Sequence, residues 1–164
     1  MKYNLHDKEK DPKAYLVELC KFFTSKREEY KLLAKTDFLF DAQQHTFKIL
    51  SNSLYGTLGS KFNNFNFPGG AAFITEKGRD ILKLTIKWAE DKGFQIVNGD
   101  TDSIMFCKKD QSPFTEEEQH ILLLEINVLL PSKIQMANDG HYSKVIVLKA
   151  KNYILYDGKE IKYK

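Results

Sequence analysis

The sequence contains few of the residues that cross-link or interrupt a small protein: two cysteines, four prolines and one tryptophan occur among 164 residues. Cys20 and Cys107 lie in apolar stretches with no neighbouring cysteine, which argues against a disulfide framework and predicts buried, reduced thiols. The four histidines are scattered and indicate no zinc site. No apolar run approaches the roughly 20 residues of a membrane span, so we expect an intracellular, cytoplasmic protein with no membrane partner.

A strong charge of either sign is also missing, because the formal net charge is +3 and the isoelectric point is about 8.7. This mild basicity permits nucleic-acid binding without indicating it. A hydrophobic fraction of 42% and an aromatic fraction of 13% are typical of a folded chain. The length suffices for one core, with at most an additional arm.

Hydrophobic periodicity and turn residues predict an α+β protein. The first two predicted helices are joined by a short break, so we expect them to form an antiparallel hairpin. A later strand, tight turn and strand form a β-hairpin, and Thr115 with Glu118 fits a capping box. The predicted helices cover residues 12–35, 40–54, 71–91 and about 115–131, and the predicted strands lie within 94–107, 143–148 and 152–156.

The two helices of the hairpin each carry a distinctive stripe. On the first, Leu16, Cys20 and Phe23 recur at helical spacing, and Arg27 and Lys31 continue the same stripe. On the second, one polar face is expected to gather four side chains: Gln44, Lys48, Asn52 and Tyr55. Either pattern, taken alone, also fits an ordinary solvated helix face.

The turn Gly99-Asp100-Thr101-Asp102-Ser103 lies between two apolar runs. A tight turn exposes its carboxylates at the tip of the hairpin, where they are able to bind a divalent cation. Aspartate also favours turns for purely local reasons, because its side chain accepts hydrogen bonds from nearby backbone N–H groups. Spacing alone therefore leaves a metal site and a structural turn both open.

The acidic turn and the segment Lys48-Ile49-Leu50-Ser51-Asn52-Ser53-Leu54-Tyr55-Gly56 together resemble two motifs of family B DNA polymerases, in the family's order. The turn departs from the family at Asn98, where an aromatic residue is usual. The resemblance implies a palm (an antiparallel sheet with helices) and a helical-hairpin fingers element within an incomplete polymerase domain. It implies a loose segment at 1–12, fingers at 13–60, palm at 61–156 and a truncated start of the thumb region at 157–164.

The resemblance also implies roles for individual residues in adding deoxynucleotides to a primer 3′ end with two Mg²⁺ ions, or Mn²⁺ in their place. Asp102 and Asp100 are the implied metal ligands, and Asp102 is expected to be the direct one. Lys48 is the implied catalytic cation that neutralises the triphosphate and protonates the leaving pyrophosphate. The implied nucleotide-binding residues are Arg27, Lys31, Lys48, Asn52 and Tyr55.

The same resemblance implies contacts with primer–template DNA. Lys151 and Tyr153 match part of a family element that grips the duplex, in a region with six lysines and two carboxylates between residues 143 and 164. A lysine-protected strand edge is the structural alternative. Gly56 and Thr101 are the other implied DNA contacts.

The family's first polymerase motif, an Asp followed shortly by Leu-Tyr-Pro, does not occur in the sequence. We therefore expect the middle of a polymerase of viral or plasmid type, inactive alone, with the missing segments supplied in cis or in trans. The alternatives are a subunit of a split polymerase or a non-catalytic nucleotide- or DNA-binding remnant. The sequence leaves open whether nucleic acid or protein primes the synthesis.

Overall fold

A computed structural model describes residue 9 and residues 11–163, so most of the predicted loose segment 1–12 lies outside the described residues. The described chain is α+β and divides after Thr75 into two compact units. The boundaries predicted for fingers, palm and thumb stay predictions. The elements, in chain order, are α1 Tyr15–Leu33, α2 Leu39–Gly59, α3 Pro68–Asp91, β1 Gln95–Asp100, β2 Ser103–Cys107, α4 Glu116–Leu129, β3 Lys144–Lys149, β4 Asn152–Tyr156 and β5 Ile161–Tyr163.

The first unit contains the predicted hairpin of two helices, held together by aromatic rings. Tyr30 of α1 stacks on Phe40 and Phe47 of α2, with ring centroids 5.8 and 5.6 Å apart. Phe23, two turns earlier in α1, also contacts Phe47 at 6.0 Å. The end of α1 therefore meets the start of α2, as an antiparallel pair requires.

Two side chains of this hairpin differ from their predicted environments. Cys20, predicted to be buried, is exposed, because the contact with α2 runs through the aromatic rings instead. Gln44, predicted on the exposed polar face, is only 8% exposed. Its amide donates to the Asp41 carboxylate at 2.9 Å, so its burial leaves that donor satisfied.

Helices α2 and α3, which flank the loop at residues 60–67, are both longer than predicted. Helix α2 continues five residues past the predicted end at 54, because Leu58 in its last turn is buried at 7% exposure. Helix α3 begins at Pro68 rather than at 71, since proline is favoured in the first turn, where its missing N–H has no helical partner.

A cluster of half-buried aromatic rings in the second unit joins α3, the β1–β2 hairpin and the segment before α4. Phe94 stacks on Phe106 at 5.2 Å, and Trp88 of α3 meets Phe106 edge-on at 6.0 Å. Phe114, just before α4, packs against Phe94 at 5.2 Å. Phe106 of β2 is thus the ring on which the neighbouring elements converge.

Strands β1 and β2 pair in antiparallel fashion as a two-stranded sheet, with one irregularity. Ile96 pairs with Phe106 and Asn98 pairs with Met105, so Val97 is an extra residue, a β-bulge. After the bulge the pairing continues to Asp100 opposite Ser103. The hairpin predicted within residues 94–107 is confirmed.

Helix α4 begins at the predicted capping box. The Glu118 N–H donates to the Thr115 hydroxyl at 3.2 Å, and the Glu118 carboxylate accepts the Thr115 N–H at 2.8 Å. Strands β3, β4 and β5 form an antiparallel sheet in that order. Leu155 of β4 is 1% exposed and is the largest fully buried side chain of the described residues.

Candidate functional site

The acidic turn lies at the tip of the β1–β2 hairpin, where Thr101 and Asp102 connect the strands. The Asp102 N–H donates to the Asp100 carbonyl, and the Ser103 hydroxyl donates to the same oxygen at 3.3 Å. This closure gives Thr101 a φ of +45°, which is uncommon for a β-branched residue. Strained backbone of this kind persists only where its surroundings hold it, and it is frequent at functional sites.

The two carboxylates of the turn have different environments. Asp100 Oδ1 accepts the Thr101 hydroxyl at 2.8 Å and lies 3.4 Å from Lys151 Nζ. The Thr101 hydroxyl, and after it the Lys151 ammonium, lower the pKa of the Asp100 carboxyl from its ordinary value. The exposed Asp102 carboxylate has no hydrogen bond or ion pair with any residue of the described ranges. Asp100 is therefore fixed, and Asp102 is available to a ligand.

This donor set fits a hard divalent cation in part. Mg²⁺ prefers oxygen ligands and commonly uses one or two carboxylates together with water and substrate phosphates. Asp100 and Asp102 supply such oxygens on one turn. No cluster of three or more metal-ligating His, Cys, Asp or Glu side chains occurs among the residues that the structure describes.

In the first unit, α2 presents the polar face predicted for the second motif. Lys48, Asn52 and Tyr55 are four and three residues apart, a spacing that puts side chains on one side of a helix. All three are exposed, and Tyr55 keeps 42% of its accessible surface. Their polar atoms make no hydrogen bond or ion pair with the rest of the described chain. The ammonium, amide and phenol are therefore available to a ligand.

Gly56 follows this face directly. A Cβ added at Gly56 would meet no atom within 4 Å, so the packing of the fold does not require glycine there. Glycine within a helix is less stable than alanine by about 0.5–1 kcal/mol. The predicted contact of Gly56 with DNA stays a prediction.

Arg27 and Lys31 lie one turn apart on α1. Lys31 is exposed and its Nζ lies 3.4 Å from Glu28 Oε1. Arg27 is half-buried, and its Nε atom is buried with no hydrogen-bond partner in the described structure. Buried donors are normally paired, so this nitrogen is a donor without its expected acceptor.

The two residues predicted to contact DNA through the second sheet differ in exposure. Lys151, in the turn between β3 and β4, is exposed and reaches Asp100. Tyr153 is 8% exposed, so its ring packs within the sheet and offers little surface to a duplex in this conformation. Sequence reasoning missed the link from Lys151 to Asp100, because residues 51 positions apart carry no local signal of contact. The two DNA contacts themselves stay predictions.

None of the helices in the described part of the chain is both long enough and apolar enough to cross a membrane.

The candidate site residues form two sets, each within its own unit. The first set is Arg27, Lys31, Lys48, Asn52, Tyr55 and Gly56, and the second is Asp100, Thr101, Asp102 and Lys151 with the buried Tyr153.

Comparison with known proteins finds relatives over almost the whole chain. A DNA polymerase of Archaeoglobus fulgidus is 30% identical in an alignment of 155 residues, and the match covers 90% of this chain and 19% of that protein. The DNA polymerase alpha catalytic subunit of Drosophila melanogaster is 29% identical over 160 residues, and this chain spans 10% of its length. That of Sterkiella nova is 36% identical over 115 residues, covering 69% of this chain and 8% of the relative. The profile described as DNA polymerase family B matches residues 3–161, so the chain belongs to that family.

Proposed function

We propose that the protein carrying this chain is a template-directed DNA polymerase, which transfers a nucleotide from a dNTP to a primer 3′ end. The observation that carries the proposal is the acidic turn, in which an anchored Asp100 stands next to an unpaired Asp102. Family membership gives the turn its chemical context. The helical hairpin and the β-hairpin would belong to the fingers and the palm.

The carboxylates of Asp100 and Asp102 would hold the catalytic cations, two Mg²⁺ or Mn²⁺ ions in the complete site, with Asp102 as the direct ligand. When bound, such cations stabilise the negative charge that develops on the transferring phosphoryl group and favour ionisation of the attacking hydroxyl. The Asp102 carboxylate needs no rearrangement to accept a ligand, because no described residue occupies it.

The exposed face of α2 would bind the incoming nucleotide. Lys48 would neutralise the triphosphate and donate a proton to the departing pyrophosphate. Asn52 would orient the triphosphate or the sugar, and Tyr55 would stack near the new base pair. The open space around Gly56 would admit the DNA backbone.

Helix α1 would contribute two further cations to the triphosphate. The planar donor fork of the Arg27 guanidinium suits a phosphate. Lys31 would exchange its surface contact with Glu28 for the same group. Thr101 and Lys151 would lie near the primer–template duplex.

The test is a comparison of Asp102→Ala with Asp91→Ala in the full-length protein that carries this sequence. Asp91 is an exposed acid in the same unit and makes no described ion pair. We expect Asp102→Ala to abolish primer extension while DNA affinity stays near wild type, and Asp91→Ala to retain both. Extension by Asp102→Ala within tenfold of wild type would contradict the metal-binding role.

A second candidate is a nucleotide- or DNA-binding protein without turnover, or one subunit of a split polymerase. It is favoured by the lack of a third metal-ligating side chain near the turn among the described residues. Binding of dNTP with Mg²⁺ but no extension by the full-length protein would favour the binding role. Extension that requires a separate polypeptide would favour the split enzyme.

A further inference from the structure

One ion pair connects the two sheets of the second unit. Lys151 Nζ, from the turn between β3 and β4, lies 3.4 Å from Asp100 Oδ1 at the tip of β1. Among the described residues, no other ion pair joins the β1–β2 hairpin to the β3–β5 sheet. This ion pair therefore links the acidic turn to the turn between β3 and β4.

The contact acts on the carboxylate that is already held from within the turn. The oxygen facing Lys151 is the one that accepts the Thr101 hydroxyl at 2.8 Å. One hydrogen bond and one ion pair thus meet at Oδ1 and orient the carboxylate, and Oδ2 lies outside both contacts. The side chain of the neighbouring Asp102 has no comparable restraint, but its backbone N–H donates to the Asp100 carbonyl, which links the two residues within the turn.

Both ends of the ion pair lie in turns with unusual backbone. Thr101, next to Asp100, has a φ of +45°, and Lys151 itself has a φ of +59°. Neither residue is glycine, so both conformations need support from their surroundings. The side chain of Lys151 keeps 72% of its accessible surface, so burial does not determine its orientation.

We infer that Lys151 is a positioning residue for the acidic turn: its ammonium holds Asp100 and thereby presents Asp102 to the catalytic cations. This rests on the proposed polymerase function and changes the role predicted for Lys151 from a duplex contact to a support of the metal site. A duplex lysine acts on DNA affinity, whereas a positioning lysine acts on the rate of the chemical step once DNA is bound.

The test compares Lys151→Met, Lys151→Arg and Asp100→Asn, the double variant Lys151→Met/Asp100→Asn, and Lys133→Met as the control. Methionine keeps most of the length of the lysine stem without its charge. Lys133 is exposed, lies in the same unit and has no described ion pair. Single-turnover extension is measured in the full-length protein at saturating DNA and dNTP, and the DNA Kd is measured at two salt concentrations.

We expect Lys151→Met to slow extension tenfold or more with a DNA Kd within twofold of wild type. Lys151→Arg should restore the rate to within threefold, because it keeps the cation. The double variant should be no slower than the slower single variant, since both changes break one contact. Lys133→Met should match wild type. An unchanged rate with weaker DNA binding and a salt slope reduced by about 1 would assign Lys151 to the duplex instead.

A second measurement is independent of activity. In NMR spectra of the chain, Lys151→Met should shift the backbone amides of Thr101 and Asp102 and lower their order parameters, while Lys151→Arg and Lys133→Met should not. If these amides do not respond to Lys151→Met, the positioning role is overturned whether or not the protein extends primers. If they respond but wild type does not extend primers, the positioning role stands and the proposed polymerase function fails.

Discussion

Lys108 and Glu118 form a two-pronged ion pair, in which Lys108 Nζ lies 2.7 Å from Oε1 and 2.8 Å from Oε2. Oε2 also accepts the N–H of Thr115, the N-cap of α4. One carboxylate therefore ties the segment after β2 to the first turn of α4. The Lys108 ammonium, and after it the Thr115 N–H, lower the pKa of Glu118 from its ordinary value.

The lowered pKa of Glu118 predicts a pH dependence of stability. A carboxyl whose pKa is lower in the folded state stabilises the protein fully above its unfolded pKa of about 4.3, and this contribution disappears as the pH falls through the folded value. Lys108→Met should therefore reduce the loss of unfolding free energy between pH 6 and pH 3, measured by urea denaturation. Lys109→Met, its exposed neighbour, should keep the wild-type profile. Identical profiles for all three proteins would contradict the pairing.

The burial of Leu155 predicts that truncating this side chain causes the largest loss of stability of any single truncation in the second sheet. Its side chain is 1% exposed, so Leu155→Ala should lower the free energy of unfolding by about 2–5 kcal/mol. Leu148 lies in the neighbouring strand and is 63% exposed, so Leu148→Ala should change stability by less than about 0.5 kcal/mol. Chemical denaturation of both variants checks the prediction, and similar losses at the two sites would contradict the described burial.

Substitution of Gly56 by alanine is expected to raise stability and to lower activity. With open space around its Cβ position, Gly56→Ala should raise the free energy of unfolding by about 0.5–1 kcal/mol. The same methyl should slow primer extension in the full-length protein if DNA approaches this point of α2. Gly78 of α3 has equally open surroundings, so Gly78→Ala should stabilise similarly without slowing extension. Equal extension rates for both variants would remove Gly56 from the proposed DNA contacts.

Substitution of Glu28 is expected to increase the affinity of the protein for dNTP. Its carboxylate lies 3.4 Å from Lys31 Nζ and competes with a triphosphate for that cation. An exposed helical pair contributes about 0.3–0.5 kcal/mol, so Glu28→Gln should lower the KM for dNTP about twofold. Glu18, which pairs with Lys21 on the same helix at 2.7 Å, provides the control, and Glu18→Gln should leave the KM unchanged. Steady-state extension kinetics separate the two, and a higher KM for Glu28→Gln would argue against the role of Lys31.

Signals local in the sequence predicted local structure well. The capping box at Thr115 and Glu118 forms as expected, because both partners lie within one helical turn. The β1–β2 hairpin also follows from its two apolar runs and the acidic turn between them. Helix ends were less predictable: burial of Leu58 extends α2 past Gly56, and this burial depends on packing that the local sequence does not reveal.

Relationships between distant residues were not available from the sequence. The exposure of Cys20 and the burial of Gln44 depend on which face of each helix meets the other, which the ring contacts of Phe47 decide. The pairing of Lys151 with Asp100 depends on how two separate hairpins meet. The sequence thus identified the candidate carboxylates, and the structure distinguished the anchored one from the free one.

The extra residue Val97 determines which side of strand β1 the Asp100 side chain faces. Side chains alternate along a strand, so without the bulge Asp100 would point to the same side as Ile96, whose partner Phe106 belongs to the aromatic cluster. With it, Gly99 takes the inward position, where an added Cβ would lie 3.8 Å from Ile86 of α3, and Asp100 points away. Regular pairing of every residue from Ile96 to Asp100, with Val97 included, would instead turn the acid to the side of the hairpin that carries Phe106. The irregular pairing at Val97, and not only the identity of residue 100, therefore determines which side of the hairpin this carboxylate faces.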